Sequence, residues 1–143
     1  MKALVEALKE TVSILVGEDA EDFLSDTDQD AWELASSVGV RVLRGKNLLA
    51  VAVIGEKLVG AIFDEVNGDS YSFDTVVHAK HQGQGIGPKL VREALSNFNE
   101  LQDMNPDLRY DLDVINPNAI KMMQKLGFKV QREVPGHTIM GRS

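Results

Sequence analysis

Three glycines stand at alternate positions in one short segment, Gln82-Gly83-Gln84-Gly85-Ile86-Gly87. Glycine is favoured where the backbone turns sharply or must approach a ligand closely. The apolar pattern that follows predicts a helix, and the first turn of a helix offers free N–H groups and the positive end of the helix dipole. Pro88 suits that turn, because its missing N–H is not needed there. The segment therefore predicts an anion site, with a ligand-free glycine turn as the alternative.

The spacing of these glycines excludes two common nucleotide sites. A dinucleotide-binding loop needs Gly-x-Gly-x-x-Gly, and its third glycine would fall on Pro88. A phosphate loop of the nucleoside-triphosphatase type needs Gly-x-x-x-x-Gly-Lys-Ser/Thr, which the segment does not contain. The anion must therefore belong to another class of ligand.

The elements before the glycine segment follow from hydrophobic periodicity. Apolar residues at helical spacing predict a helix over residues 2–16, and Thr27 with Asp30 is an N-cap signature for a second helix that Gly39 ends. The period then changes to that of strands, with a tight turn at Asn67-Gly68. We expect an antiparallel meander of strands over residues 48–54, 58–66 and 69–78.

Helices and strands alternate after the glycine segment. A helix carries Leu90, Val91, Ala94, Leu95 and Phe98. We then expect a strand over residues 108–115, a helix over 116–126 that Gly127 ends, and a final hairpin of strands 128–134 and 137–141. This order predicts a mixed α+β fold, neither all-β nor a doubly wound parallel sheet. The length of 143 residues fits one domain.

Two segments resemble the signature motifs of the GNAT family of N-acyltransferases. The stretch 76–87 resembles the family's strand that runs into Gln/Arg-x-x-Gly-x-Gly/Ala and a helix, with Gln82, Gly85 and Gly87 at the signature positions. The stretch 116–128 resembles its Asn-x-x-Ala-x-x-x-Tyr-x-x-x-Gly-Phe helix. The resemblance covers roughly residues 40–143, whereas the N-terminal part does not show the family's usual opening strand.

The resemblance implies a fold for the whole chain. This is the GNAT acyl-CoA N-acyltransferase fold, a mostly antiparallel central sheet with a splayed parallel strand pair and helices on both faces. A single domain would span residues 1–143, with two atypical acidic helices in 1–40 and the acyl-CoA-binding core in 41–143.

The resemblance also implies a binding site for acetyl-CoA, in a V-shaped opening between the strand ending at His78 and the strand over 108–115. The pantetheine arm would pair with one strand, and backbone N–H groups of the loop would hold the pyrophosphate. The residues implied are Thr75, Val76 and Val77 for the arm, and Gln82, Gly83, Gln84, Gly85, Ile86, Gly87 and Pro88 for the pyrophosphate segment, Pro88 without a donor. Asn116 would bind the arm, with Asn118 as runner-up, although both asparagines are equally suited to capping a helix.

The reaction implied is transfer of an acetyl group from acetyl-CoA to a primary amine, by direct attack on the thioester. An alkylamine has a pKa of about 10.4, so a base must first remove a proton. The candidate bases are Asp113 and Asp111, which share one face of their predicted strand because they are two residues apart. Asp74 and His78 lie on the neighbouring strand. A main-chain N–H near Val77 would face the thioester oxygen as it becomes an oxyanion.

One position departs from the family pattern. The tyrosine that protonates the leaving thiolate would fall at Met123, and methionine cannot donate a proton. Solvent, Tyr110 or Tyr71 would then take that role, or the thiolate leaves unassisted. The alternative function is a catalytically weak or inactive module that binds acyl-CoA.

Composition narrows the remaining classes. The absence of cysteine excludes disulfides, thiolate metal sites and a cysteine nucleophile, and we expect no metal. No apolar run approaches the roughly 20 residues of a membrane span, and no secretory signal is seen, so we expect a cytoplasmic protein without a membrane partner.

Charge narrows the partners. The net charge of −7 comes from residues 1–35, which carry −8. This argues against nucleic acid and predicts either a solvated face or a rim that attracts a cationic amine. We expect acetyl-CoA and an amine as partners, in a monomer or homodimer.

Overall fold

Strands and helices alternate through the computed structural model, which describes residues 11–40, 42, 45–114, 117–135 and 137–142. The strands are β1 (Val12–Val16), β2 (Asn47–Ile54), β3 (Lys57–Asn67), β4 (Ser70–Val77), β5 (Arg109–Tyr110), β6 (Leu112–Val114), β7 (Lys129–Val134) and β8 (His137–Gly141). The helices are α1 (Gly17–Ser25), α2 (Ala31–Ser37), α3 (Ile86–Met104) and α4 (Pro117–Lys125), with a short 3₁₀ turn at Ala79–His81.

Two sheets organise these strands. One has the order β1-β2-β3-β4-β5, and the other the order β6-β8-β7. Strands β1 to β3 pair antiparallel, whereas β4 and β5 pair parallel at Ser70–Arg109 and Tyr71–Tyr110. The mixed α+β class is therefore confirmed. No helix among the residues described is long and apolar enough to cross a membrane.

Contacts divide the chain into two compact units. The first unit comprises the chain up to residue 64 together with 74–94, and the second comprises 65–73 and the chain from 95 onward. In the first unit, apolar residues of α1 and α2 pack on one face of the sheet. The buried members of that core are Ala20, Ala31, Leu34, Ala35, Val51, Val53, Leu58, Ala61, Phe63 and Val76.

The start of α3 lies close to the strands of the first unit at Gly60. A Cβ on Gly60 would lie 3.0 Å from Leu90 Cδ1 and 3.0 Å from the Val76 carbonyl oxygen. Glycine at this position therefore lets the helix approach the sheet closely. Ala61 belongs to the core under α1 and α2, and adjacent strand residues face opposite sides, so α3 covers the other face.

The second unit is built around five aromatic rings. Phe98 of α3 and Tyr110 of β5 are stacked, with ring centroids 3.8 Å apart. Phe128 meets Tyr110 edge-on at 5.0 Å, and Tyr71 and Phe73 of β4 complete the group. The β6-β8-β7 sheet places Leu112 and Met140 opposite each other, both buried.

The predicted helix over residues 2–16 is wrong where the structure tests it. Residues 12–16 form strand β1, which pairs antiparallel with β2 from Val12–Ile54 to Val16–Ala50. Residues 2–10 lie outside the described residues. Val12, Ile14 and Val16 are β-branched, and pairing with a distant edge strand outweighs the local helical spacing. The view that the N-terminal part lacks an opening strand is wrong for the same reason.

The first helix of the described chain begins after β1, in a stretch that the sequence pattern left without structure. Glu18 and Asp19 occupy the first turn of α1, where carboxylates favour the helix dipole. The second predicted helix is confirmed as α2. Its N-cap is Asp30, whose carboxylate accepts from the Trp32 N–H at 2.8 Å, while Thr27 accepts from the Gln29 N–H instead.

The predicted strand over residues 108–115 is also wrong in part. It breaks at Asp111 into β5 and β6, which belong to different sheets, and Ile115 lies outside the described residues. The N–H of Asp111 still donates to the Tyr71 carbonyl oxygen at 2.9 Å, so parallel pairing with β4 ends there. The three meander strands, the α3 and α4 helices and the final hairpin are confirmed within a few residues.

Candidate functional site

The end of β4 presents backbone groups on a free edge. The His78 N–H donates to the Val59 carbonyl oxygen of β3 at 2.7 Å. Peptide groups of successive strand residues point to opposite edges, so Val76 also faces β3, whereas Thr75 and Val77 face away from it. On that second edge, no strand in the described parts of the chain pairs with β4 beyond residue 71. The Thr75 N–H and C=O and the Val77 N–H are therefore open to a ligand.

Two side-chain observations at this edge favour an extended polar ligand. The Gln82 side-chain amide donates to the Val77 carbonyl oxygen at 3.1 Å, which caps the strand end and leaves the Val77 N–H open. The Thr75 hydroxyl is buried and has no hydrogen-bond partner among the residues described. A buried hydroxyl without a partner is unfavourable, so a ligand that supplied one would be stabilised there.

The loop between β4 and α3 begins with an ordered turn. The His78 imidazole Nδ1 accepts from the Lys80 N–H at 3.1 Å, and the His81 N–H donates to the His78 carbonyl oxygen at 2.8 Å. His81 Nδ1 and the Gln84 Oε1 lie 3.4 Å apart. These contacts hold the loop in one conformation before the glycines.

The glycines themselves occupy backbone conformations that other residues rarely adopt. Gly83 has φ of 79° and Gly85 has φ of 82°, and no atom lies within 4 Å of a Cβ built on either. Alternating turn conformations of this kind aim successive N–H groups at one point, which forms an anion-binding concavity. Helix α3 begins at Ile86 with Pro88 in its first turn, and the Gly85 carbonyl oxygen accepts from the Lys89 N–H at 3.4 Å.

The charge near this loop favours an anion. Lys80, Lys89 and Arg92 are exposed, and the sequence from His78 to Arg92 contains no acidic residue. Because a helix N-terminus adds positive partial charge, the loop can hold a ligand with several negative oxygens. Pyrophosphate is one such group.

The candidate acids and bases lie in different settings. Asp113 of β6 is paired with His137 of β8, with 2.8 Å between Oδ2 and Nδ1. Asp111 is exposed at the break between β5 and β6. Asp74 forms an ion pair with Lys46, with 2.8 Å between Nζ and Oδ2. Asp113 alone of these three acids contacts an imidazole.

The residues considered for thiolate protonation are buried. Met123 in α4 is 3% exposed, Tyr71 is fully buried and Tyr110 is 6% exposed. Burial raises the pKa of Tyr110 to about 12, and the nearby Arg142 guanidinium opposes part of that rise. Asn116 and the side chain of Asn118 lie outside the described residues. Within the described ranges, no group of three or more His, Cys, Asp or Glu residues could hold a metal.

Sequence reasoning missed His137. It comes directly after the predicted turn of the final hairpin, and its pairing with Asp113 joins residues 24 positions apart. Only the antiparallel pairing of β6 with β8 brings the two together. The local sequence carried no signal for this contact beyond the presence of a histidine at the start of a strand.

Comparison with solved structures places the fold. The chain resembles PaiA N-acetyltransferase from Thermoplasma acidophilum in complex with coenzyme A, with a TM-score of 0.60 and 17% identity over 93% of this chain and 99% of that one. It resembles Arabidopsis thaliana Naa50 in complex with the bisubstrate analogue CoA-Ac-MVNAL, with a TM-score of 0.64 and 19% identity over 92% and 98% of the two chains.

A third structural relative is phosphinothricin acetyltransferase from Sinorhizobium meliloti in complex with AcCoA. The TM-score is 0.62 and the identity 16%, over 92% of this chain and 88% of that one. A search of curated protein sequences found no significant match. The family model for the acetyltransferase (GNAT) domain matches residues 45–130, which include the β4 edge, the glycine loop and most of α4. The chain therefore belongs to the GNAT acetyltransferase family.

Proposed function

We propose that the protein is an N-acetyltransferase that moves an acetyl group from acetyl-CoA to a primary amine. The observation that carries the proposal is the glycine loop, whose open backbone begins a helix directly after a strand with a free edge. A pyrophosphate and an extended amide-bearing arm in one molecule match these two features together. Coenzyme A is such a molecule.

The residues of the loop and of β4 fit the donor substrate. The open N–H groups from Gly83 to Gly87 would hold the pyrophosphate, and Lys80 and Lys89 add charge. The Thr75 and Val77 backbone would pair with the arm as an added strand does, and the Thr75 hydroxyl would gain a partner. Val76 contributes its side chain to the core, because its peptide groups face β3. Asn116 remains the predicted contact to the arm.

The chemistry needs an activated acyl group, a base and a stabilised oxyanion. Acetyl-CoA supplies the acetyl thioester when bound. The Val77 N–H, open at the edge of β4, is the donor that would face the developing oxyanion. Asp113 and Asp111 remain the proposed sources of basic character in the second unit.

The acceptor class and the rate are proposals of different strength. A primary amine is common to small amines, lysine side chains and peptide N-termini. The alternative of a weakly catalytic acyl-CoA-binding module is favoured by Met123, because it replaces a proton donor with a buried thioether. Turnover with amines decides between the two.

Two measurements on the purified protein test the proposal. Calorimetry with coenzyme A and acetyl-CoA measures binding, and release of free thiol in the presence of spermidine, a lysine peptide, a peptide with a free N-terminus or propylamine measures transfer. Binding with thiol release is expected. Binding without release would leave the alternative function, and failure to bind at millimolar concentration would remove both.

The loop is tested by Gly85→Glu, which we expect to weaken acetyl-CoA binding by at least tenfold. A glutamate would place negative charge beside the pyrophosphate and a side chain in the open space above the loop. The matched control is Gly55→Glu, since Gly55 has φ of 63° and the same open surroundings in a turn between β2 and β3.

The two variants separate backbone strain from ligand contact. Each carries a strain cost of roughly 1 to 2 kcal/mol, because a non-glycine residue adopts a left-handed conformation. We expect similar losses of thermal stability but lost affinity only in Gly85→Glu. Equal acetyl-CoA affinities in the two variants would contradict the placement of the pyrophosphate.

A further inference from the structure

We infer that His137 and Asp113 form an imidazole–carboxylate dyad that removes the proton from the acceptor amine. His137 is the base, and Asp113 is a positioning residue that orients it. The inference rests on the proposed N-acetyltransferase function and names the group in the second unit that would serve it.

The register of β6 and β8 creates this dyad. Leu112 pairs with Met140, and both are buried, so the next register pair, Asp113 and Ile139, faces the opposite side of the sheet. His137 lies two residues before Ile139 and so shares that side. The Asp113 Oδ2 and the His137 Nδ1 are 2.8 Å apart, a distance typical of a charge-assisted hydrogen bond.

The contact fixes which nitrogen is free. An ionised carboxylate only accepts hydrogen bonds, so Nδ1 must carry the proton that it donates to Asp113. The lone pair of a neutral ring is then on Nε2, at the far side of the imidazole. The side chains of His137 and Asp113 are 48% and 49% exposed, so Nε2 is accessible to a substrate while the pair stays in contact.

The surroundings of the dyad suit an alkylamine. Val134 of β7 pairs with His137, and Arg132 pairs with Ile139, so these residues share the face. Val134 is 42% exposed and provides an apolar surface beside the imidazole. The charged groups on this face of β6, β7 and β8 are Asp113, Arg132 and His137, one of each ordinary charge type.

An imidazole suits the step better than the carboxylates considered from sequence. It is a stronger base than a carboxylate and is still largely unprotonated at neutral pH. Asp113 contributes by holding the ring in one tautomer and by stabilising the imidazolium that forms. Asp111 has no comparable contact to an imidazole among the described side chains.

The proposed step balances as follows. The ammonium R–NH3+ gives one proton to His137 Nε2, directly or through one water, and becomes R–NH2. The amine nitrogen attacks the thioester carbonyl carbon, so a C–N bond forms and the C–S bond breaks. The second proton leaves the nitrogen for the thiolate sulfur, which gives the amide and free thiol. The imidazolium then releases its proton to solvent.

The test combines turnover with a measurement on the protein without acetyl-CoA. We expect His137→Gln to lower kcat about 100-fold or more and to remove the acid limb of the pH profile between pH 5 and 8. Acetyl-CoA affinity measured by calorimetry should stay unchanged. Added imidazole should restore part of the activity of His137→Ala, and Asp113→Asn should lower kcat about 10- to 100-fold. The control is Glu133→Gln, an exposed residue that pairs with Thr138 on the opposite face of the same sheet.

The spectroscopic readout is independent of catalysis. The chain has three histidines, so nitrogen-15 NMR of the imidazoles can be assigned from the His137→Gln spectrum. We expect His137 to be protonated at Nδ1 in the wild type at pH 8 and to be a tautomer mixture in Asp113→Asn. Unchanged turnover and pH profile in His137→Gln would overturn the dyad while wild-type thiol release upheld the proposed function. Absence of acetyl-CoA binding or thiol release in the wild type would instead overturn the proposed function itself.

Discussion

The buried phenol of Tyr110 ties one residue to the stability of the protein at high pH. Burial raises its pKa to about 12, above the ordinary value of 10.0, and Arg142 opposes part of the rise. The unfolded chain loses the phenolic proton before the folded chain does. Its contribution to the free energy of unfolding is therefore complete below pH 10 and is lost as the pH rises toward 12.

We predict that Tyr110→Phe flattens the alkaline decline in stability. Two pKa units correspond to roughly 2 to 3 kcal/mol, so wild type should lose about that much more unfolding free energy than the variant between pH 9 and 12. Urea unfolding at several pH values measures the difference. Parallel declines in the two proteins would show that the phenol titrates as it does in the unfolded chain.

The N-cap of α2 shows how one side chain sets the start of an element. Asp30 accepts from the Trp32 N–H at 2.8 Å, and Trp32 packs on Phe63 with ring centroids 5.0 Å apart. Asp30→Ala should lower the free energy of unfolding by about 1 kcal/mol, because one N–H at the helix start loses its acceptor. The control Asp28→Ala removes a nearby exposed charge without touching the cap. Equal unfolding free energies for the two variants would argue against a capping role for Asp30.

Elements defined by local contacts were the ones that the sequence predicted well. Strands β2, β3 and β4 alternate in polarity and are joined by short turns, in which Gly55 and Gly68 have positive φ. The glycine loop is local in the same sense, because Gly83 and Gly85 carry the conformation that their type implies.

Elements that depend on distant partners were missed. Strand β1 exists because residues 12–16 pair with β2, about 40 positions away, and local helical spacing could not show that. The break at Asp111 follows from the end of pairing with Tyr71. The contact between Asp113 and His137 needs the register of β6 and β8. The binding loop could therefore be predicted from the sequence, whereas the dyad could not.

At the scale of the whole molecule, two elements belong to both compact units. Strand β4 passes from the second unit into the first between Phe73 and Asp74, and helix α3 passes from the first into the second between Ala94 and Leu95. Neither unit can lose its fold without ending a strand and a helix of the other in mid-element. Such continuity differs from domains joined by an exposed linker, which often unfold separately.

We therefore predict one cooperative unfolding transition, and the chain carries a natural probe for each unit. Its one tryptophan, Trp32, lies in the core of the first unit, and its two tyrosines, Tyr71 and Tyr110, lie in the aromatic group of the second. Tryptophan fluorescence and near-ultraviolet circular dichroism at the tyrosine bands should give the same urea midpoint and the same slope. Saturating coenzyme A should move both midpoints together, because its proposed loop and the start of α3 belong to an element that both units share. Two separated midpoints, or a ligand shift confined to the tryptophan signal, would show that α3 and β4 do not couple the units.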